Sequence, residues 1–208
     1  YEMLVKVYSA AINPFDYNKS RQAVKKLLDG DTTEKKIDAV TKYILIRGED
    51  FTQFTIHKLL YYIQSFYYVF TNKFLFEEDC EAFKNGPVYR SVLERYERFG
   101  YEDAKKEILA NKKLRLDNVE RNIVESIIKF YGCYSEKILR QMTQNEAPWI
   151  LTRTNVINKN DYEDNDYSAI IEKNLISEYF KGVKEKYNMI NLLDIQKYSV
   201  DLFNNISM

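Results

Sequence analysis

Hydrophobic residues recur along most of this chain at the three- and four-residue spacing of amphipathic helices. The clearest run lies between Thr55 and Asn72, and its main stripe is formed by Ile56, Leu59, Leu60, Ile63, Tyr67 and Phe70. Five further large side chains widen the stripe until almost no polar face remains: Tyr61, Tyr62, Phe66, Tyr68 and Val69. A helix that is apolar nearly all round is normally packed on several sides. This segment is therefore predicted to be the central helix of the fold.

Capping signals predict most of the other helices. The residues at 31–34 and at 117–120 have the spacing of a capping box. They predict one helix that stops at Gly48 and another that stops at Gly132. Pro87 is predicted to be the first residue of a helix that runs to Gly100, because proline is favoured there. Apolar spacing predicts shorter helices at 18–29, 136–142, 167–180 and 193–205, and Pro148 opens a further segment that ends at Arg153.

Composition supports a helical fold with bulky interfaces. The 208 residues include 18 Tyr and 12 Phe but only 6 Gly and 3 Pro, and so few helix breakers argue against a loop-rich fold. Short extended segments are expected at 74–76 and 81–85. The predicted fold class is mainly α: a compact helical domain around a central aromatic-rich helix, with a short β-hairpin near residues 74–85.

The charge balance argues against binding to nucleic acid or to a membrane surface. The 31 basic and 31 acidic residues give a formal net charge of zero, so no global field draws the chain to phosphates or anionic lipid. Arg90, Arg95 and Arg98 alternate with glutamates, which is typical of an exposed ion-paired face. Because there is no long uncharged apolar run and no signal peptide, the expected location is the cytoplasm.

Residues that could carry catalysis or bind metal are few and scattered. His57 is the single histidine, and no nucleophile motif accompanies it. Cys80 and Cys133 are too far apart for a zinc-binding motif, and the acidic clusters at 77–81 and 161–166 lack the spacing of an EF-hand. The sequence therefore predicts no enzyme, no cofactor and no metal site, and His57 is expected to be a satisfied surface or semi-buried histidine.

Several segments together resemble one known family. They are the TIHKLLYYIQ run at 55–64, the EAFKNGPVY run at 81–89, the spacing of Gly132, Ser135 and Leu139, and the TQNEAPW run at 143–149. In this order, over residues 36–181, they resemble the Panacea domain of SocA-like antitoxins and GepA-type phage-associated proteins. The sequence departs from the family pattern at His57, where Gln is usual, and at Asn145, where His is common.

The resemblance implies a helical domain that neutralises a protein toxin encoded by a neighbouring gene, in some members by handing it to a protease. Residues 36–181 would form this domain. Residues 1–35 would be an extension that is toxin-specific or the remnant of a preceding domain, and residues 182–208 a helical tail packed on the core. Two alternatives stay open beside an antitoxin or proteolytic adaptor, namely a DNA-binding autoregulator and an enzyme of unrecognised type.

The candidate contact residues are aromatic and polar side chains from the matching segments. The candidates for toxin binding are Tyr61, Tyr62, Tyr68, Asn85, Tyr89, Trp149 and Arg153. The motif residues expected to hold the fold are Lys58, Leu59, Leu60, Gly86, Pro87, Val88 and Pro148. Tyrosine and tryptophan are over-represented among residues that dominate binding energy, which favours the aromatic candidates.

Overall fold

A computed structural model describes residues 35–48, 50–99, 116–159 and 168–206, together with residues 102, 106 and 110. The chain divides into two units, Tyr1–Lys35 and Lys36–Met208. Apart from Lys35, all of the described residues belong to the second unit.

Helices dominate the described residues, which confirms the predicted mainly α class. The α-helices are α1 (Lys36–Arg47), α2 (Gln53–Thr71), α3 (Arg90–Phe99), α4 (Asn118–Tyr131), α5 (Glu136–Gln144), α6 (Ala147–Lys159), α7 (Lys173–Lys186) and α8 (Ile195–Ile206). A single 3₁₀ turn, Leu192–Asp194, precedes α8. The strands are β1 (Cys80–Phe83), β2 (Gly86–Tyr89) and β3 (Ile170–Ile171).

Helix α2 is the centre of the fold, as its apolar pattern predicts. Every residue from Thr55 to Phe66 is buried, because α1, α4, α5, α7 and β2 all pack against this helix. The Thr52 side chain accepts a hydrogen bond from the Thr55 backbone N–H at 3.2 Å and so caps the N-terminus. Asn72, in the left-handed conformation with φ of 55°, ends the helix.

Aromatic rings join α2 to the helices around it. The ring of Tyr62 stacks on Tyr131 of α4 with centroids 3.9 Å apart. Phe180 of α7 lies edge-to-face with Tyr61 at 5.8 Å and with Phe66 at 5.3 Å. Such pairs contribute about 0.5–1.5 kcal/mol each beyond the apolar area they bury. The unusual tyrosine content is therefore used in part to build the core.

A three-stranded antiparallel sheet with the order β2-β1-β3 lies beside the helices. Its hairpin spans residues 80–89, with Cys80 opposite Tyr89 and Phe83 opposite Gly86, which is further along the chain than the predicted 74–85. The prediction that Pro87 starts a helix is wrong, because Pro87 lies in β2 and α3 begins at Arg90.

Pro87 fits in a strand because no ladder donor is needed at its position. It pairs with Ala82, whose N–H points away from β2 and donates to the carbonyl of Ala169 at 2.8 Å. Strand β2 is also an edge of the sheet, where proline is tolerated.

The capping box of α4 is confirmed. The Asp117 side chain accepts from the Glu120 N–H and the Glu120 side chain accepts from the Asp117 N–H, both at 2.9 Å. The predicted stops at Gly48 and Gly132 and the Ser135 cap of α5 are also present.

Two further helices have other boundaries than the sequence predicts, and two predicted elements lie outside the described residues. Helix α6 continues to Lys159, past the predicted end at Arg153. The helix predicted at 167–180 instead runs from Lys173 to Lys186, because β3 occupies Ile170–Ile171 before it begins. The predicted helix at 18–29 and the capping pattern at 31–34 lie outside the described residues. Among the described helices, none has the length and apolarity needed to cross a membrane.

Candidate functional site

The hairpin of β1 and β2 is held to the central helix by two consecutive polar residues. The Lys58 ammonium donates to the carbonyl of Pro87 at 3.2 Å. The backbone N–H of Tyr89 donates to Nδ1 of His57 at 3.3 Å. Both side chains are buried, so two polar residues of α2 bind the backbone of β2 in the interior.

Helices α5 and α6 hold the other strand and the turn. Gln144 donates to the Lys84 carbonyl at 2.7 Å, and the indole N–H of Trp149 donates to the Phe83 carbonyl at 2.8 Å. A longer contact of 3.4 Å joins Arg153 to the Ala82 carbonyl. Three successive carbonyls of the hairpin therefore have a side-chain donor, which restrains its backbone on both sides.

Gly86 lies where the turn enters β2, and only glycine fits there. Its φ is +99°, a conformation that other residues rarely adopt. A Cβ at this position would lie 2.9 Å from Cε of Lys58 and 2.9 Å from Oγ1 of Thr143. The turn is thus packed directly against α2 and α5.

The residues expected to hold the fold all lie in the interior. Leu59 and Leu60 are fully buried on α2. The remaining members of the set are also buried: Lys58, Gly86, Pro87, Val88 and Pro148. Their positions account for the motif as a structural junction between α2, the hairpin, α5 and α6.

The tip of the hairpin remains on the surface. Lys84 and Asn85 are exposed, and Arg140 of α5 reaches the side-chain oxygen of Asn85 with a long contact of 3.4 Å. Among the described residues, Nε of Arg140 has no hydrogen-bond partner. We call Lys84, Asn85, Arg140 and Gln144 the hairpin-tip surface.

Three of the predicted contact residues are not on the surface. Tyr61, Tyr62 and Tyr89 are each 0–1% exposed, so the expectation of exposed aromatics on the central helix is wrong at Tyr61 and Tyr62. The reason is that neighbouring elements cover α2 on all sides over this stretch. A partner that docks on the surface cannot touch these rings without opening the fold.

The other four candidates divide between two ends of the molecule. Trp149 is half-buried and Arg153 is 8% exposed, and both bind the hairpin backbone. Asn85 is exposed at the tip. Tyr68 is half-buried and stacks on Phe74 at 4.6 Å, but it lies ten residues after Lys58, about 15 Å further along the helix. The structure therefore does not bring Tyr68 to the hairpin.

Burial decides the charge of the two polar residues under the hairpin. It lowers the pKa of His57 to about 3, helped by the neighbouring Lys58 charge. It also lowers the pKa of Lys58 to about 8. His57 is therefore neutral at pH 7 and accepts a hydrogen bond, and its burial keeps it away from any substrate in solution.

Glu146 is a buried ionisable residue that the sequence reasoning did not single out. It lies between α5 and α6 and is fully buried. The Tyr198 hydroxyl donates to its carboxyl at 2.6 Å. Burial raises the pKa of Glu146 to about 8, although the nearby hydroxyls of Tyr198, Tyr61 and Tyr62 pull it down. A glutamate just before a helix is ordinarily expected in solvent, so its sequence position carried no sign of burial.

The other charged clusters serve the framework. Arg90 binds Glu81 through two contacts of 2.6 and 2.7 Å and also reaches Ser168. Arg95 pairs with Asp38 at 3.1 Å, which ties α3 to α1. Within the part of the chain that the structure describes, no three potential ligands of the His, Cys, Asp or Glu type gather in a metal-binding group.

Comparison with known proteins finds a family to which the central segment is similar. No curated protein and no solved structure matches the chain. Residues 56–150 match the family model described as the antitoxin SocA-like, Panacea domain. The matched segment begins in α2, includes the hairpin together with Gln144 and Trp149, and ends before Arg153. Over residues 56–150, which hold most of the residues of the hairpin junction, the chain is thus similar to the antitoxin SocA-like, Panacea domain family.

Proposed function

We propose that this chain is an antitoxin that neutralises a protein toxin by binding it directly, and that the hairpin-tip surface is part of the contact. The observation that carries the proposal is that the hairpin backbone is fixed by hydrogen bonds while its turn stays exposed. Side chains from three helices bind its backbone, yet Lys84 and Asn85 at its turn remain exposed.

Rigid presentation favours binding, because a loop that is already ordered loses little conformational entropy when a partner docks. The restraints on the Phe83 and Lys84 carbonyls keep the turn in one shape. Such an ordered, exposed turn would therefore strengthen the binding of a protein partner.

The chemistry of the tip suits a polar or acidic partner group. Within the described part of the chain, the Arg140 guanidinium makes one long contact, to Asn85, and its terminal nitrogens can bind a carboxylate through two parallel hydrogen bonds. Lys137, one turn earlier on α5, is also exposed. Phe54 is 38% exposed one turn before Lys58 on α2 and adds apolar area at this end of the helix.

The contact must be larger than the tip alone. Neutralisation at nanomolar concentration needs about −12 kcal/mol of binding free energy, and interfaces of that strength typically bury roughly 800 Å² on each partner. The hairpin tip would supply orientation and specificity at one part of such an interface.

The first test is co-expression of the chain with the product of each neighbouring gene, followed by a growth assay and a pull-down. A neighbour that is toxic alone, harmless together with this chain and co-purified with it is the expected result. If the toxin disappears from cells instead of accumulating in a complex, the chain acts as a proteolytic adaptor. If no neighbour is toxic or bound, the proposal fails.

The second test locates the contact. Asn85→Arg and Arg140→Ala are each expected to weaken toxin binding at least tenfold while thermal unfolding stays unchanged. Arg121→Ala is the matched control, because it also removes an exposed arginine but at a position outside the hairpin-tip surface. Arg121 lies near the start of α4, beside Glu120, which binds Lys36 of α1. Equal affinities for the three variants and the wild type would remove the hairpin tip from the interface.

A further inference from the structure

Glu146 lies inside a ring of phenol groups contributed by four helices. The facing residues are Tyr61 and Tyr62 of α2, Tyr131 of α4, Tyr179 of α7 and Tyr198 of α8. Together with Glu146 they are called the Glu146–tyrosine cluster. No basic side chain is among the groups that set the pKa of Glu146, so nothing in the cluster neutralises a negative charge there.

Complete burial of Glu146 favours a neutral carboxyl group and outweighs the hydrogen bonds from the surrounding hydroxyls, which by themselves favour the carboxylate. Tyr198 donates to one oxygen of Glu146 at 2.6 Å, and the hydroxyl of Tyr179 lies 3.0 Å from that of Tyr198. The second carboxyl oxygen and the hydroxyls of Tyr61, Tyr62 and Tyr131 have no hydrogen bond of regular geometry to any described residue. A carboxylate can only accept, whereas a carboxylic acid also donates and can bond to a phenol oxygen.

Helix α8 is the element that closes the cluster. Tyr198 is buried on its inner face, as are Ile195 and Ser199, and α8 packs against α4 and α5. Displacing α8 would remove the hydroxyl that binds Glu146 and would admit water to its carboxyl group. The charge state of Glu146 and the docking of α8 are therefore linked.

We propose that Glu146 is a proton-controlled lock for helix α8: the neutral carboxyl holds the helix on the core, and loss of the proton favours its release. This device is independent of the proposed antitoxin function. It requires only that the carboxyl be more hydrated when α8 is displaced than when it is docked.

The direction of the pH effect follows from the two pKa values. Glu146 has a pKa of about 8 when buried, whereas the ordinary value for a glutamate is 4.5, to which the hydrated group returns. Between these values the docked state holds a proton that the open state has lost. The open-to-docked ratio therefore rises about tenfold per pH unit through this range and levels off above pH 8.

Other ionisable groups on or next to α8 titrate outside this range. Hydrogen bonds from Lys197 and from backbone N–H groups lower the pKa of Asp194 to about 2. Burial and the bond to Asp201 raise the pKa of Tyr187 well above its usual value. Burial likewise raises the pKa values of the cluster tyrosines above 10. Glu146 is thus the group of the cluster whose ionisation changes near neutral pH.

The test is hydrogen exchange, read by mass spectrometry on peptides from α8 in the full chain between pH 6 and 8 and corrected for intrinsic rates. Protection of α8 in the wild type is expected to fall about a hundredfold over these two units. In Glu146→Gln it should stay constant. Glu185→Gln, which changes an exposed glutamate of α7, should behave like the wild type.

A flat profile in the wild type, or the same slope in Glu146→Gln, would overturn the proposal. A second measurement covers a Gln variant that does not fold. Carbon NMR of the wild type with labelled glutamate carboxyls should show one carboxyl that titrates near pH 8. In Tyr198→Phe the titration midpoint of this carboxyl should be shifted. If every glutamate titrates in the ordinary range, Glu146 is not a lock.

Discussion

At the scale of single residues, Gly86 allows the hairpin to pack closely against the helices. Gly86 combines a φ of +99° with neighbours that leave no space for a side chain. The sequence predicted that Gly86 holds the fold, directly before a helix that begins at Pro87. Only the tertiary contact with Lys58 and Thr143 shows that Gly86 instead lets the hairpin lie directly on α2 and α5.

Replacing Gly86 with alanine should destabilise the fold by about 1–3 kcal/mol, because the new side chain meets both a strained φ and two close neighbours. The midpoint of urea denaturation measures this change. Gly182→Ala is the matched control: Gly182 is an exposed residue of helix α7 with nothing within 4 Å of its added Cβ. That variant should gain about 0.5–1 kcal/mol. Similar destabilisation of both variants would contradict this account.

At the scale of elements, the hairpin depends on donors from helices that are distant in sequence. Trp149 of α6 binds the Phe83 carbonyl, and Gln144 of α5 binds the Lys84 carbonyl. Sequence patterns locate the helices and suggest a hairpin, but they cannot assign these partners, because donor and acceptor are about sixty residues apart. This explains why the sequence offered Trp149 as a toxin contact when its indole in fact holds the hairpin.

Trp149→Phe keeps an aromatic ring at this position, although a smaller one, and removes the indole donor. It should cost about 1–3 kcal/mol, since the Phe83 carbonyl loses its partner in a partly buried site. Hydrogen exchange of residues 80–89 should also increase. Tyr134→Phe is a suitable comparison, because the Tyr134 hydroxyl makes only a long contact of 3.5 Å with the Ser199 carbonyl. Faster exchange of the hairpin in both variants would argue against a specific role of the indole.

At the scale of the whole molecule, three buried ionisable residues make the free energy of unfolding depend on pH, although the chain has no net charge. His57 and Lys58 have lowered pKa values, of about 3 and about 8. Glu146 has a raised value of about 8. Lowered values of basic groups make stability rise with pH between the folded and unfolded pKa values, and a raised value of an acid makes it fall. The three effects act in different pH ranges.

Stability should therefore pass through a minimum near pH 8. Between about pH 6.5 and 8 only Glu146 changes, and the free energy of unfolding should fall by roughly 1.4 kcal/mol per unit. Between pH 8 and 9 Lys58 reverses the slope, until the buried Cys80 thiol, whose pKa burial raises to about 12, offsets it. Urea denaturation at pH 6.5, 8 and 9 tests this.

Two variants separate the contributions to that minimum. Glu146→Gln should remove the falling part of the curve, and Lys58→Met should remove the rising part, because each takes away one proton-binding group. A curve that rises or falls steadily through pH 8 in the wild type would show that these groups are more hydrated than their burial indicates.

The sequence by itself determined the helical class, the central position of α2, the caps at Asp117 and Ser135, and the family that the central segment resembles. These features depend on local spacing, which a linear pattern records. The tertiary structure alone decided which side chains are accessible, since burial depends on elements that meet across the chain. It placed Tyr61 and Tyr62 in the core, brought Trp149 to the hairpin, and enclosed Glu146 among tyrosines from four helices.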